Sequence, residues 1–296
     1  SAGAYDAAGL LEWKSGTVSV MLPARTVART LPDILDHLLP HERSGLIDEL
    51  VVVDSASPDG TAEAAREKGA QVLQRDELMP EYGASLGKGD GIWRGLSATT
   101  GDIVVLLDTD TKNFGSHFLF GLLGPLFHDP SLQFVKGAFR RLLAPGGPVE
   151  QEGGRVTELV ARPILNLYRP ALTGFMQPLA GEFAARRGLL EDLPFPVGYG
   201  VEIGMLIDTL ERVGLDRMAQ VNLGSRRDEP KSLADLSAMS YVILAAMLGR
   251  AGLYSGTEHA EILLARPTGV DVEEVALIER PPLSMLRRAG RSHDVS

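Results

Sequence analysis

Two carboxylates one residue apart, Asp108 and Asp110 with Thr109 between them, close the segment DIVVLLDTDT, in which residues 103–107 are all apolar. Residues two apart on an extended chain point to the same side, so both acids can reach one ligand. Hard oxygen donors of this kind suit Mg²⁺ or Mn²⁺, which take one or two carboxylates together with diphosphate oxygens. The same residue types also build turns and helix starts after strands. Spacing alone leaves both readings open.

Other polar groups share the setting. Asp54 and Ser55 follow the apolar run Leu50–Val53. Lys88 lies between Gly87 and Gly89, ahead of a stretch with helical spacing. Glycines let a backbone approach a ligand, and a helix start favours anions; a lone lysine is more commonly a solvated charge. Arg155 follows Gly153 and Gly154 and can grip a phosphate or carboxylate with two bonds, or form a surface ion pair. Glu202 can hold sugar hydroxyls or complement a helix dipole. Tyr199, between Gly198 and Gly200, can stack on a ligand or fill a core gap. Asp54, Lys88 and the acid pair, taken together, outline a nucleotide-sugar pocket.

The elements that must position these groups follow from periodicity. Strands are expected over residues 17–22, 49–53, 71–74 and 103–107, with helices over 31–39, 61–68 and 88–99 between them. Alternating strands and helices imply a parallel sheet covered on both faces, and ligands then sit beyond the carboxyl ends of the strands. Beyond Asp110 a strand is expected over 134–139, and a loop at Pro145–Pro148. Helices follow over 156–168, broken near Pro163, and over 202–213 and 232–249. Residues 287–296 read as a disordered basic tail.

Composition narrows the classes. A net charge of −10 argues against nucleic-acid binding, which needs a basic face. The absence of cysteine excludes disulfides and thiolate metal sites. No apolar run reaches the roughly 18 residues of a membrane span, and no leader pattern is visible. A cytoplasmic protein with no nucleic-acid or membrane partner is expected.

The segments VSVMLPA (18–24), VVVDSAS (51–57), GKGDGIWRGL (87–96), GDIVVLLDTD (101–110), GGRVTELVARP (153–163), QPLAGEFA (177–184), GYGVEIG (198–204) and AQVNLG (219–224) resemble the retaining glycosyltransferases of the glucosyl-3-phosphoglycerate synthase group. The likeness covers residues 17 to 250. It implies a GT-A, Rossmann-like α/β fold: a mixed, mostly parallel sheet flanked by helices, with a C-terminal helical subdomain for acceptor binding and oligomerisation. The halves would be a nucleotide-sugar domain over 17–140 and an acceptor domain over 141–250, followed by a partly disordered extension over 251–296.

The resemblance further implies a homodimer that binds a nucleotide diphosphate sugar, a small polar acceptor and Mg²⁺ or Mn²⁺. Pro23, Ala24, Asp54, Ser55, Lys88, Asp108, Thr109, Asp110 and Tyr199 would meet the donor. Gly154, Arg155, Val156 and Thr157 would hold the acceptor. Asp110, Leu179 through its carbonyl, and Glu202 would stand at the reacting centre, and Asp110 would be the principal metal ligand.

Three departures bear on substrates. Val27 stands where the family has a glutamate at the nucleoside. Asp228 takes the place of a metal-binding histidine, with Arg226 or Arg227 as the other candidates for neutralising the site. Pro230 replaces an acceptor-binding asparagine and has no donor to offer. A specialised-metabolite enzyme of the same build is therefore the alternative to phosphoglycerate glucosylation. It would use a donor such as a GDP-sugar and an acceptor such as ergothioneine in lincosamide assembly.

Overall fold

A computed structural model of the chain describes residues 2–142, 150–151, 154–227, 232–256, 258–266 and 269–293. The expected loop at Pro145–Pro148, together with Asp228 and Pro230, lies outside these residues.

Helix α1 (Ala7–Trp13), unexpected from periodicity, precedes strand β1 (Val18–Ala24). Then come α2 (Leu31–Arg43), β2 (Glu49–Asp54), α3 (Thr61–Glu67), β3 (Gln71–Gln74), α4 (Lys88–Ala98) and β4 (Ile103–Leu106). Strands β3, β2, β1 and β4 lie side by side and all pair in parallel, as the alternating pattern requires. Leu31, Ile34, Leu35 and Leu38 of α2 are fully buried on one face of this sheet, and Trp93 and Leu96 of α4 pack on the other.

The second half turns the sheet mixed. Helix α5 (His117–His128) leads to β5 (Phe134–Leu142) and β6 (Glu150–Gln151), and a turn of wide, π-type pitch (Thr157–Ala161) opens α6 (Arg162–Tyr168). Strand β7 (Phe183–Arg186) then inserts antiparallel between β4 and β5. Helix α7 (Arg187–Glu191), β8 (Phe195–Pro196), α8 (Val201–Val213) and β9 (Met218–Arg227) follow, and β9 lies parallel to β5 in an eight-stranded sheet.

The β5–β9 ladder carries an irregularity that bears directly on the site. Ala138 pairs with Asn222, but Arg140 pairs with Ser225, so β9 spends one residue more than its neighbour. Gly224, at φ +86°, supplies the left-handed backbone of such a bulge. Val221 and Leu223 are buried before it; after it the inward phase falls on Arg226 rather than Ser225.

After α9 (Leu233–Arg250), a two-stranded antiparallel hairpin of β10 (His259–Arg266) and β11 (Gly269–Ala276) stands apart from the main sheet. Strand β12 (Glu279–Arg280) pairs with β8, and Arg280 reaches back to Asp90 at 2.8 Å. Helix α10 (Leu283–His293) runs through most of the segment expected to be a disordered tail, a correction to the composition-based reading. No described helix is long and apolar enough to cross a membrane.

Candidate active site

The carboxyl ends of β1, β2 and β4 meet the start of α4, the start of α8 and the end of β9. The alternation expected along the acid pair is observed. Thr109 turns inward, is buried, and donates its hydroxyl to the Pro23 carbonyl at 2.7 Å. Its own carbonyl accepts from the Thr30 hydroxyl at 2.6 Å. Asp108 and Asp110 therefore share the opposite side. The Thr109 side chain, placed in the donor set by sequence, serves the scaffold.

Asp108 is held from two directions. Lys88 Nζ lies 2.8 Å from its Oδ1, and Arg226 Nη1 lies 2.9 Å from its Oδ2. Burial alone would raise this carboxyl, but the two cations hold it well below the usual range. Lys88 also pairs with Glu202 Oε1 at 2.7 Å. Its burial opposes the charge, yet the two carboxylates raise the ammonium above its ordinary value, so it stays protonated. Glu202 is buried in the first turn of α8, so the helix-start and site readings of this residue coincide.

Lys88 gets there through backbone close approach. A side chain on Gly89 would overlap the Pro196 carbonyl oxygen at 1.8 Å, and Gly87 sits at φ +139°. The Asp90 amide donates to the Val197 carbonyl at 3.0 Å, which docks the start of α4 on the segment leading into α8.

Arg226 joins the acids together. Its Nη2 lies 2.6 Å from Asp110 Oδ1, while Nη1 reaches both Asp108 and Glu182. The guanidinium packs 5.2 Å from the Phe139 ring centroid. Its side chain is 4% exposed, whereas that of Asp110 is 63% exposed. Of the open alternatives for the neutralising group, the structure shows Arg226 on the acid pair.

Behind this layer stand Glu182 and Lys136, both buried and both missed by sequence reasoning. Burial pushes Glu182 up to about 7 and lowers Lys136 to about 8. Lys136 donates to the Ala180 carbonyl, and the Ala180 amide donates to Gln177 at 3.1 Å. Together these bonds fix the turn that carries Leu179. The available signal was a lysine inside the apolar run 134–139.

At the end expected to meet the nucleoside, Asp54 is buried and its carboxylate is taken up internally. It accepts from the Ser57 hydroxyl at 2.6 Å and from Gln74 Nε2 at 3.2 Å. Ser55 binds the Ala24 carbonyl through its amide at 3.0 Å. Val27 packs against the core cluster rather than standing in solvent. Asp54 therefore shapes this end by holding Ser57 and Gln74.

The acceptor candidates gather beside β5. The Glu158 amide donates to the Gly154 carbonyl at 2.9 Å, so a helical turn starts at this loop. Val156 and Thr157 are buried, and Arg155 is half-buried. A side chain on Gly154 would lie 3.5 Å from Arg141 Nε. Arg141, another residue that sequence reasoning missed, pairs in register with Arg226 and packs 5.4 Å from the same Phe139 ring. Tyr199 is exposed at 43%, which removes the core-filling reading.

The match to known proteins is extensive. Residues 19–130 match the model of glycosyl transferase family 2. The chain is 45% identical over 280 residues to glucosyl-3-phosphoglycerate synthase of Mycobacterium tuberculosis, covering 92% of this chain and 86% of that one. A crystal structure of the M. tuberculosis enzyme with Mn²⁺, UDP-glucose and phosphoglyceric acid superposes with a TM-score of 0.86 at 42% identity, over 96% of each chain. Mannosyl-3-phosphoglycerate synthase of Rubrobacter xylanophilus superposes at 0.83 with 41% identity, over 95% of this chain and 96% of that one.

Proposed function

This chain belongs to the glucosyl-3-phosphoglycerate synthase family of glycosyltransferases, and we propose that it moves a hexose from a nucleotide diphosphate sugar to 3-phosphoglycerate with retention of configuration. The observation that carries this reading is the cluster of Lys88, Asp108, Arg226 and Asp110 at the carboxyl end of a parallel sheet. On this reading the fold is the GT-A arrangement, residues 17–140 hold the donor, and residues 141–250 hold the acceptor. The enzyme works as a cytoplasmic homodimer. Leu263, Val270 and Val272, exposed on the hairpin, support an association surface.

Mg²⁺ or Mn²⁺ fits the residues present. Asp110 offers the most exposed carboxylate of the cluster, and such ions need only one or two carboxylates when diphosphate oxygens complete the shell. Among the described residues no group of three His, Cys, Asp or Glu is placed to hold a metal ion. Asp110 would hold the ion, with Asp228 as second ligand. When bound, the ion supplies Lewis-acid stabilisation of the leaving diphosphate. Lys88 sits where it can neutralise the same group.

Retention needs either a carboxylate nucleophile or attack from the leaving-group face. Asp108, Asp110, Glu182 and Glu202 are each engaged by Lys88 or Arg226. Carboxylates held this way are poor nucleophiles, which favours the same-face route. In that route the acceptor hydroxyl passes its proton to a diphosphate oxygen as the glycosidic bond forms. The turn carrying Leu179 would present its carbonyl to this centre, and Arg155 would hold the acceptor's anionic end.

A second reading keeps the chemistry and changes the substrates. Val27, packed on the core where the resemblance puts a glutamate at the nucleoside, favours a donor other than UDP-glucose, such as a GDP-sugar, with a zwitterionic acceptor. The test is a matrix of UDP- and GDP-sugars against 3-phosphoglycerate and small thiols, with Mn²⁺, read by mass spectrometry and by the anomeric coupling constant of the product. Transfer to 3-phosphoglycerate with an α product from an α donor supports the first reading. Transfer only to the thiol supports the second, and an inverted anomer refutes both.

A further inference from the structure

We propose that Arg226 is the resident cation of the acid pair, and that its presence makes the site admit a divalent ion only together with a nucleotide diphosphate. The inference rests on the reading of Asp110 as the metal-holding carboxylate.

The geometry is that of a filled cation position. One guanidinium touches Asp108, Asp110 and Glu182 at once, and its fork shape matches several carboxylates in a way that a point charge does not. It is not a surface arm that happens to fold over. It is almost fully buried, its position is set by the bulge at Gly224, and the Phe139 ring backs it. The connected set holds the carboxylates of Asp108, Asp110, Glu182 and Glu202 against Lys88, Lys136 and Arg226. With every group ionised, the set carries a single net negative charge.

A bare divalent ion approaching Asp110 meets the guanidinium already bound at 2.6 Å. It must either displace that contact or sit beside a like charge. A diphosphate changes the balance. Its oxygens can bond the guanidinium as it leaves Asp110 and ligate the ion at the same time. Two cations that repel one another then share one dianion. Arg226 thus works as a positioning residue that orders binding: the ion enters as its nucleotide complex, and Asp110 is not occupied by metal alone.

The test measures binding rather than turnover. Free Mn²⁺ is titrated by electron paramagnetic resonance against wild-type protein, Arg226→Gln, Arg226→Lys and the double variant Arg226→Gln/Asp110→Asn, all without nucleotide. UDP and GDP binding to wild type are measured by equilibrium dialysis with and without Mn²⁺. Bare Mn²⁺ should bind wild type and Arg226→Lys weakly. It should bind Arg226→Gln about ten-fold more tightly, a size typical of coupling between sites, and the double variant should lose that gain. Bare Mn²⁺ binding equally well to wild type and Arg226→Gln would overturn the inference, even with UDP binding metal-dependent. Binding of both nucleotides indifferent to Mn²⁺ would remove the metal reading itself, and the inference with it. If Arg226→Gln fails to fold, Arg226→Met is measured in its place, and a wild-type Mn²⁺ affinity as high without UDP as with it overturns the proposal.

Discussion

The carboxylate of Asp108 occupies the space that a side chain on Gly181 would need: a Cβ there would stand 2.1 Å from Oδ1 and 2.6 Å from Cγ. Gly181→Ala is therefore expected to push Asp108 off Lys88 and Arg226 without touching substrate. Losing a charge-assisted bond costs about 1.5–3 kcal/mol, so kcat/KM should fall roughly ten- to a hundred-fold. Steady-state kinetics beside a melting curve check this. Wild-type kinetics in the variant would show that Asp108 can move without consequence.

Asp110→Ala should abolish the enhancement of nucleotide diphosphate binding by Mn²⁺ while leaving the fold intact. The side chain is 63% exposed and its one described ion pair is with Arg226, so the stability change should stay within about 1 kcal/mol. Calorimetry of UDP with and without Mn²⁺ is the measurement. Metal-enhanced binding that survives in the variant would place the ion on another group.

Two buried groups predict how stability varies with pH. Burial lowers Lys136 from 10.5 to about 8. Between those values the unfolded chain holds a proton that the folded chain has released, so this group makes stability rise with pH there. Burial raises Glu182 from 4.5 to about 7. Between 4.5 and 7 the folded chain holds the extra proton, so this group makes stability fall as pH climbs. Their joint minimum lies between about pH 7 and 8. Lys136→Met should remove the alkaline rise and keep the acid-side slope, as read from urea midpoints across pH. An alkaline rise of the same size in the variant would assign it to a different residue.

Arg155→Ala should raise the acceptor KM and spare donor binding. The loss of a charge-assisted bond, about 1.5–3 kcal/mol, corresponds to roughly ten- to a hundred-fold in affinity. Initial rates with each substrate varied in turn separate the two effects. An equal loss of donor affinity would make Arg155 a scaffold residue.

The donor half was legible because its signals are strong and local. The short unbroken apolar runs at 50–53 and 103–107, each set between helical stretches, fit strands covered on both faces, and period two put Asp108 and Asp110 on one side. The rest depends on contacts distant in sequence. Strand β7 is short and takes its place from β4 and β5 on either side. The β10–β11 hairpin buries little beyond Ile262 and Leu264, so its pattern was faint. Arg226 was only one of several candidates, because strict alternation from Val221 and Leu223 points to Ser225. Lys136 was hidden because a charged residue inside an apolar strand reads as a fault until its partners are known, and Glu182 because it stands just ahead of β7 with its partner Arg226 distant in sequence.

The bulge at Gly224 has an evolutionary side. A strand shows alternate residues to alternate faces, so one extra residue exchanges the two sets beyond it. In β9 that exchange turns Arg226 inward and leaves Arg227 exposed. The electrostatic character of the donor end is thus written partly in residue count. Insertion or loss of one residue upstream of this position can recast the charge facing a sugar nucleotide while every side chain in the motif stays the same, a route to new donors that a comparison of residue types alone would overlook.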